Sequence, residues 1–171
     1  KPGLYKVVSK GNKTVIVESF IDGKRSPLYS DNQANMLEEI GKLLQPVFGQ
    51  EIKVQSSSPT EGGCINQTLV LQLNNGERVF LKHNTQPPID FFAAESRGLQ
   101  LLANAGPRIP KPLAIQDSPN PTFLILEYIE KASPRHDFPV RLAQSLAQLH
   151  RVTQNRFGLD HDNYIGSTPQ K

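Results

Sequence analysis

Residues Thr60–Lys82 read TEGGCINQTLVLQLNNGERVFLK. An apolar run, Thr68–Leu73, meets Asn74-Asn75-Gly76, and Arg78-Val79-Phe80-Leu81-Lys82 carries the chain back. Two apolar runs joined by an Asn/Gly turn are the signature of an antiparallel hairpin. Ahead of it stands Gly62-Gly63. A glycine pair ordinarily makes a turn, but without side chains it also lets backbone N–H groups approach a phosphate. Lys82 closes the returning strand beside Val79 and Leu81. A lone strand lysine is ordinarily a solvated residue, so its meaning depends on the next element of the chain.

That element is a helix. Pro87-Pro88 breaks the chain, then Phe91, Phe92, Glu95, Leu99 and Leu102 recur at helical spacing up to Gly106-Pro107. Glu95 lies thirteen residues after Lys82. A strand lysine that reaches ATP phosphates needs a carboxylate from the next helix to hold its long stem, and this spacing suits that pairing. Beyond a loop framed by Pro110 and Pro112, Ala114–Gln116 and Thr122–Ile129 read as strands around the turn Ser118-Pro119-Asn120-Pro121. The second suits a buried strand leading into a hinge, where backbone groups of Glu127, Tyr128 and Ile129 would face an adenine.

On the N-terminal side, Ile52–Ser56 is a short strand candidate. Before it, Met36, Leu37, Ile40, Leu43, Leu44, Val47 and Phe48 mark a helix, with Asp31 as its N-cap and Gly49 as its stop. Residues 4–8 and 14–21 read as a β-hairpin about Gly11-Asn12, with Asp22-Gly23 as the next turn. At the other end, residues 137–153 form a helix with Leu142, Leu146, Leu149 and Val152 on one face. The tail from Asn155 to Lys171 shows no periodicity.

Composition bounds the function classes. The 171 residues are 37% apolar and 20% charged, enough for one domain and a real core. No apolar run approaches a membrane span, and the opening Lys1-Pro2-Gly3 reads as no signal peptide. Cys64, the one cysteine, excludes an intramolecular disulfide framework, and four scattered histidines argue against a zinc site. A reduced, soluble, cytoplasmic protein is expected. The net charge of +3 sits in the first 35 residues, which hold six Lys/Arg against three Asp/Glu, while the remainder balances at thirteen of each. Those basic residues are spread singly along the hairpin, which speaks against nucleic acid.

The order of elements, and several short stretches, resemble the N-terminal half of the fructosamine kinase (ketosamine-3-kinase) family. The stretches are Glu61-Gly62-Gly63-Cys64-Ile65-Asn66, Val79-Phe80-Leu81-Lys82, Glu95-Ser96-Arg97-Gly98-Leu99, Leu126-Glu127-Tyr128 and, most specifically, Phe157–Gln170 with its Asn163-Tyr164-Ile165-Gly166-Ser167-Thr168-Pro169-Gln170. The similarity runs from about Met36 to Gln170; residues 1–35 match nothing in it.

The resemblance implies an α+β, protein-kinase-like N-lobe with an antiparallel sheet of about five strands and an αC-type helix. Residues 1–35 would be an appended hairpin, 36–131 the N-lobe, and 132–171 the start of the C-lobe. It implies ATP- and Mg²⁺-dependent phosphorylation of the sugar 3-hydroxyl of ketosamines on glycated proteins or amines, a deglycating repair. Gly62, Gly63, Cys64 and Asn66 would cover the phosphates, Lys82 would contact them, Glu95 would anchor Lys82, and Glu127, Tyr128 and Ile129 would form the hinge.

In the family the catalytic Asp and the metal ligands come from a His-Gly-Asp segment and a later Asp, both beyond the position of Lys171. The chain therefore reads as a fragment or truncated product, without a catalytic or metal-binding residue of its own and inactive alone. Asp160 and Asp162 are no substitutes; His161, Asp162 and Asn163 are substrate-side candidates, and His150 a packed or capping residue. The Leu142, Leu146 and Leu149 face would stand exposed and favour self-association. Cys64 is either a small turn residue or an accessible thiol near Lys82, open to redox regulation or to pairing with its mate in a homodimer. Two alternatives stay open. One is another kinase-like phosphotransferase, of the aminoglycoside or choline kinase type. The other is a non-catalytic nucleotide- or protein-binding module.

Overall fold

The computed structural model describes residues 4–9, 15–21, 24–26, 31–60, 66–117 and 122–170. Strands β1 (Leu4–Ser9), β2 (Val15–Ile21) and β3 (Lys24–Ser26) form a small antiparallel sheet in that order. The expected hairpin is there, and β3 adds a short third strand. The two turns expected at Gly11-Asn12 and Asp22-Gly23 lie outside the described residues.

Helix α1 (Asp31–Phe48) comes next. Asp31 is already its first residue rather than a cap ahead of it. Met36, Leu37, Ile40 and Leu44 are buried on one stripe, whereas Val47 falls outside the stripe and is exposed. Gly49 ends the helix at φ 68°, its N–H donating to the Gln45 carbonyl (2.8 Å). A left-handed residue at a helix end favours glycine, which has no Cβ to clash.

The main sheet has five strands, all antiparallel, in the order β4-β5-β6-β8-β7. They are β4 (Val54–Pro59), β5 (Gln67–Leu73), β6 (Arg78–Asn84), β7 (Pro112–Gln116) and β8 (Thr122–Glu127). β4 starts two residues later than the spacing suggested, because Ile52 is buried as the chain enters the sheet and a register shift lies between Val54 and Ser56. The β5–β6 turn closes on Gly76 at φ 87°. Asn74 clips it to the chain after α1, accepting from the Lys53 N–H (2.9 Å) and donating to the Glu51 carbonyl (3.0 Å).

The sheet divides its side chains between two layers, as strand alternation requires. Leu71, Leu73, Val79, Leu81, Phe123 and Ile125 pack with α1 on one face. Phe80, Leu124 and Leu126 meet α2 (Phe91–Leu102) on the other. β8 is buried on both faces, which explains its unbroken run Thr122-Phe123-Leu124-Ile125-Leu126. It ends at Glu127 rather than Ile129.

The chain after β8 is more exposed. Helix α3 spans Phe138–Leu149, shorter than the predicted 137–153, and Arg151 and Val152 continue only as turns. Leu142 and Leu146 stand exposed as expected, and Leu149 is half-buried. The tail is a hairpin, β9 (Asn163–Ile165) with β10 (Thr168–Gln170), where no strand was expected. Three-residue strands are too short to show a period of two. Among the described residues no helix is long and apolar enough to cross a membrane.

Gly41 sets how closely α1 lies on the sheet: a Cβ there would stand 2.5 Å from the Ile52 carbonyl oxygen. Gly41→Ala sets a helix-propensity gain of ~1 kcal/mol against that backbone clash. The clash wins, because backbone cannot rotate aside, and a net loss of ~1–3 kcal/mol is expected in urea unfolding. A stabilised variant would show that α1 slides freely over Ile52.

Candidate functional site

Lys82 points to the α2 face of β6, opposite Leu81 and His83. Its register partner on β8 is Leu124, on β5 Thr68. Glu95, one turn into α2 from Phe91, meets it: Lys82 Nζ donates to both carboxylate oxygens of Glu95, at 2.6 and 2.7 Å. Both side chains are roughly three-quarters buried, at 21% and 28% exposure. That is sheltered enough for a two-point charged contact to fix the lysine stem, and open enough to keep it accessible.

The pair opens on a cavity of about 470 Å³ between β5, β6, α2 and the β9–β10 hairpin. Asn66 and Thr68 line it from β5 and the residue before it, Gly98 and Leu102 from α2, and Asn163, Tyr164 and Gly166 from the hairpin. Asn66 Oδ1 accepts from Asn84 Nδ2 at 3.0 Å. Above it, β4 and β5 converge: Thr60 N–H donates to the Thr68 carbonyl (3.1 Å) and Thr60 Oγ1 to Thr68 Oγ1 (2.7 Å). The stem of the glycine turn is thus held next to Lys82. Gly62, Gly63 and Cys64 themselves lie outside the described residues.

The expected site residues separate into groups. Asn66, Lys82, Glu95 and Asn163 share the cavity. Glu127 lies three residues along β8 from Leu124, about 10 Å by strand rise. Its N–H donates to the Lys111 carbonyl (2.8 Å), and its carboxylate is engaged by Arg108. The Tyr128 ring lies under the Arg78 guanidinium, 4.8 Å from its centroid, and Ile129 is exposed. His161 and Asp162 do not line the cavity. His161 Nδ1 contacts Asp160 Oδ1 at 2.6 Å, and that bond holds the Asp160 carboxyl below its usual range.

Sequence reasoning missed Thr68, Gly98 and Tyr164 as lining residues. Tyr164 had a signal, an aromatic in the Asn163–Gln170 stretch, but nothing in the order of residues says which distant helix it meets.

His83, on the α1 face, is a buried counterpart to Lys82. Burial lowers its pKa from the ordinary 6.5. On acidification the unfolded chain takes up that proton first. Stability from this residue is therefore full above ~6.5 and declines as pH falls through that value toward the folded-state pKa. Urea midpoints measured between about pH 7 and about pH 5.5 should fall, and fall less steeply in His83→Gln. Equal slopes in the two proteins would assign the acid sensitivity elsewhere.

Comparison with known proteins bears on the same stretch. The family model for fructosamine kinase matches residues 36–171, and a second, "Domain of unknown function (DUF5606)", matches residues 1–37. The two matches meet beside the charge break at Met36. A protein named "Probable ketoamine kinase" from Synechocystis sp. is 33% identical over 135 residues, 78% of this chain and 45% of that protein. The "Protein-ribulosamine 3-kinase, chloroplastic" of Arabidopsis thaliana is 30% identical over 126 residues, 71% of this chain and 38% of that one. A crystal structure described as a "Putative fructosamine-3-kinase" from Haemophilus somnus superposes with a TM-score of 0.69 at 27% identity, covering 77% of this chain and 45% of that one. The chain spans about half the length of the curated relatives it matches. The five-stranded sheet with α2 packed on it is accordingly a protein-kinase-like N-lobe. With most of its length matched by that model, this chain belongs to the fructosamine kinase family.

Proposed function

We propose that residues 36–131 form the nucleotide-gripping lobe of an ATP-dependent kinase acting on ketosamines, with residues 132–171 beginning the second lobe and residues 1–35 an appended segment. The observation that carries this reading is the two-point Lys82–Glu95 contact facing the cavity that Asn66 and Thr68 also line. A lysine held this way presents its ammonium to anionic phosphate oxygens without first losing stem entropy.

ATP would supply the phosphoryl group, and this chain's residues would bind and orient. Lys82 holds phosphate oxygens, Glu95 holds Lys82, and Asn66 lies at the foot of the glycine turn that would cover them. The chain leaving β8 at Glu127–Ile129 would bound the adenine end. Because the Glu127 N–H is already bonded to Lys111, contacts there fall to the remaining backbone groups of the segment.

Magnesium is a different matter. Among the described residues no group of three or more His, Cys, Asp or Glu side chains is arranged to hold a metal ion. The residues described do not fit a complete metal site. Phosphoryl transfer at the sugar 3-hydroxyl is therefore assigned to the whole kinase, in the cytoplasm, and not to these residues alone.

Titration of the 171-residue chain with a fluorescent ATP analogue, with ATP, GTP and ribose 5-phosphate as competitors, tests the reading. Saturable binding displaced by ATP is expected, with no phosphate transferred to fructosyl-lysine. Binding displaced equally by any phosphate compound would leave a non-specific anion site. Turnover by this chain would place the catalytic groups within it after all.

A further inference from the structure

The Lys82–Glu95 contact requires α2 to sit at one height on the sheet, and the start of α2 is poorly made for holding itself there. Asp90, at the N-cap position, has φ 62° and makes no side-chain cap hydrogen bond. Its carboxylate instead pairs with Arg97, two turns along. The first turn carries no acidic residue to meet the helix dipole. Its anchors come from outside. The Asp117 carboxylate accepts from the Ala93 N–H. On the other side Tyr164, from β9, donates its hydroxyl to the Ile89 carbonyl (2.9 Å) and lays its ring on Phe91, centroid to centroid 5.3 Å. Phe91 in turn meets Phe92 edge-on at 5.3 Å, and Phe92 is fully buried against Leu124 and Leu126.

Glu95 lies four residues after Phe91, on the same side of the helix as the residue Tyr164 grips. The β9–β10 hairpin is thus a strap along one side of the cavity, fastened to the start of α2. We propose that Tyr164 is a positioning residue: it holds α2 so that Glu95 meets Lys82, and thereby sets the lysine that grips the nucleotide. This rests on the reading of Lys82 as a phosphate contact, yet the positioning itself can be measured without nucleotide.

Two readouts on the 171-residue chain test it. A zero-length carbodiimide joins an amine to a carboxylate only where they touch, so the Lys82–Glu95 isopeptide, quantified by mass spectrometry, reports the pair directly. The surface Lys42–Glu39 pair, 2.8 Å apart, is the internal standard. Hydrogen exchange of the α2 amides reports how often the helix lifts.

In Tyr164→Phe one hydrogen bond is lost, and first-turn exchange should rise about five-fold. In Tyr164→Ala the ring contact goes too, and the rise should be roughly thirty-fold. The Lys82–Glu95 cross-link should fall in Tyr164→Ala, toward its absence in Glu95→Gln, while the Lys42–Glu39 link is kept. An unchanged Lys82–Glu95 yield in Tyr164→Ala overturns the proposal, even if exchange rises, because the strap would then be a structural contact only. Should Tyr164→Ala fail to fold, Tyr164→Phe decides: faster exchange confined to α2 supports the strap, and exchange raised everywhere or nowhere overturns it. Nucleotide binding unchanged by Lys82→Met would remove the kinase reading and leave the cross-link result standing.

Discussion

Phe92→Ala is expected to cost the fold ~3–5 kcal/mol, the range for removing a large aromatic from a core. Phe92 is fully buried and joins α2 to Leu124 and Leu126 on the central strand. No neighbouring side chain is free to fill the hole: Phe91 is committed to Tyr164, and the sheet backbone beneath is fixed by β6 and β7 on either side of β8. Against a total stability of ~5–15 kcal/mol for a domain of this kind, such a loss is large. The urea midpoint should drop by roughly 2 M. A loss below ~1 kcal/mol would mean that α2 settles into the vacated space, and that its height on the sheet is adjustable.

The second large effect concerns binding. Lys82→Met keeps a long unbranched stem and removes the charge. A hydrogen bond to a charged group contributes ~1.5–3 kcal/mol, so affinity for the ATP analogue should fall by roughly ten-fold to a hundred-fold. Stability should change far less, because Glu95 retains access to solvent and is not stranded in a dry interior. Lys82→Arg is not expected to restore binding, since a planar guanidinium presents a different donor geometry from an ammonium. Equal affinity in wild type and Lys82→Met, with the fold intact by circular dichroism, would take the nucleotide away from this cavity.

Much of this arrangement was legible in the order of residues. Lys82 and Glu95 lie on a strand and a helix whose periods are strong, so their meeting followed from spacing and the Pro-Pro break. β8 was legible because a strand covered on both faces needs an unbroken apolar run. Other features were hidden for physical reasons. The β9–β10 hairpin has strands too short for a pattern, and it is ordered by a contact 75 residues away in sequence, Tyr164 to Ile89. β8 stops at Glu127, where the side chain turns to Arg108, a partner that neither propensity nor period reveals. His161, Asp162 and Asn163 were expected together on the substrate side. Of the three, Asn163 lines the cavity.

The strand order also has a consequence for how the chain is made. β8 lies between β6 and β7 in the sheet although it comes after both in the sequence. Until about residue 127 has left the ribosome, β6 lacks its partner along the edge that β8 takes, where Val79, Phe80 and Leu81 pair in the finished sheet. The closing step inserts a strand buried on both faces into that gap, and α2 cannot settle on Leu124 and Leu126 before it. A ribosome paused between α2 and β8 would therefore leave that edge of β6 without its strand partner.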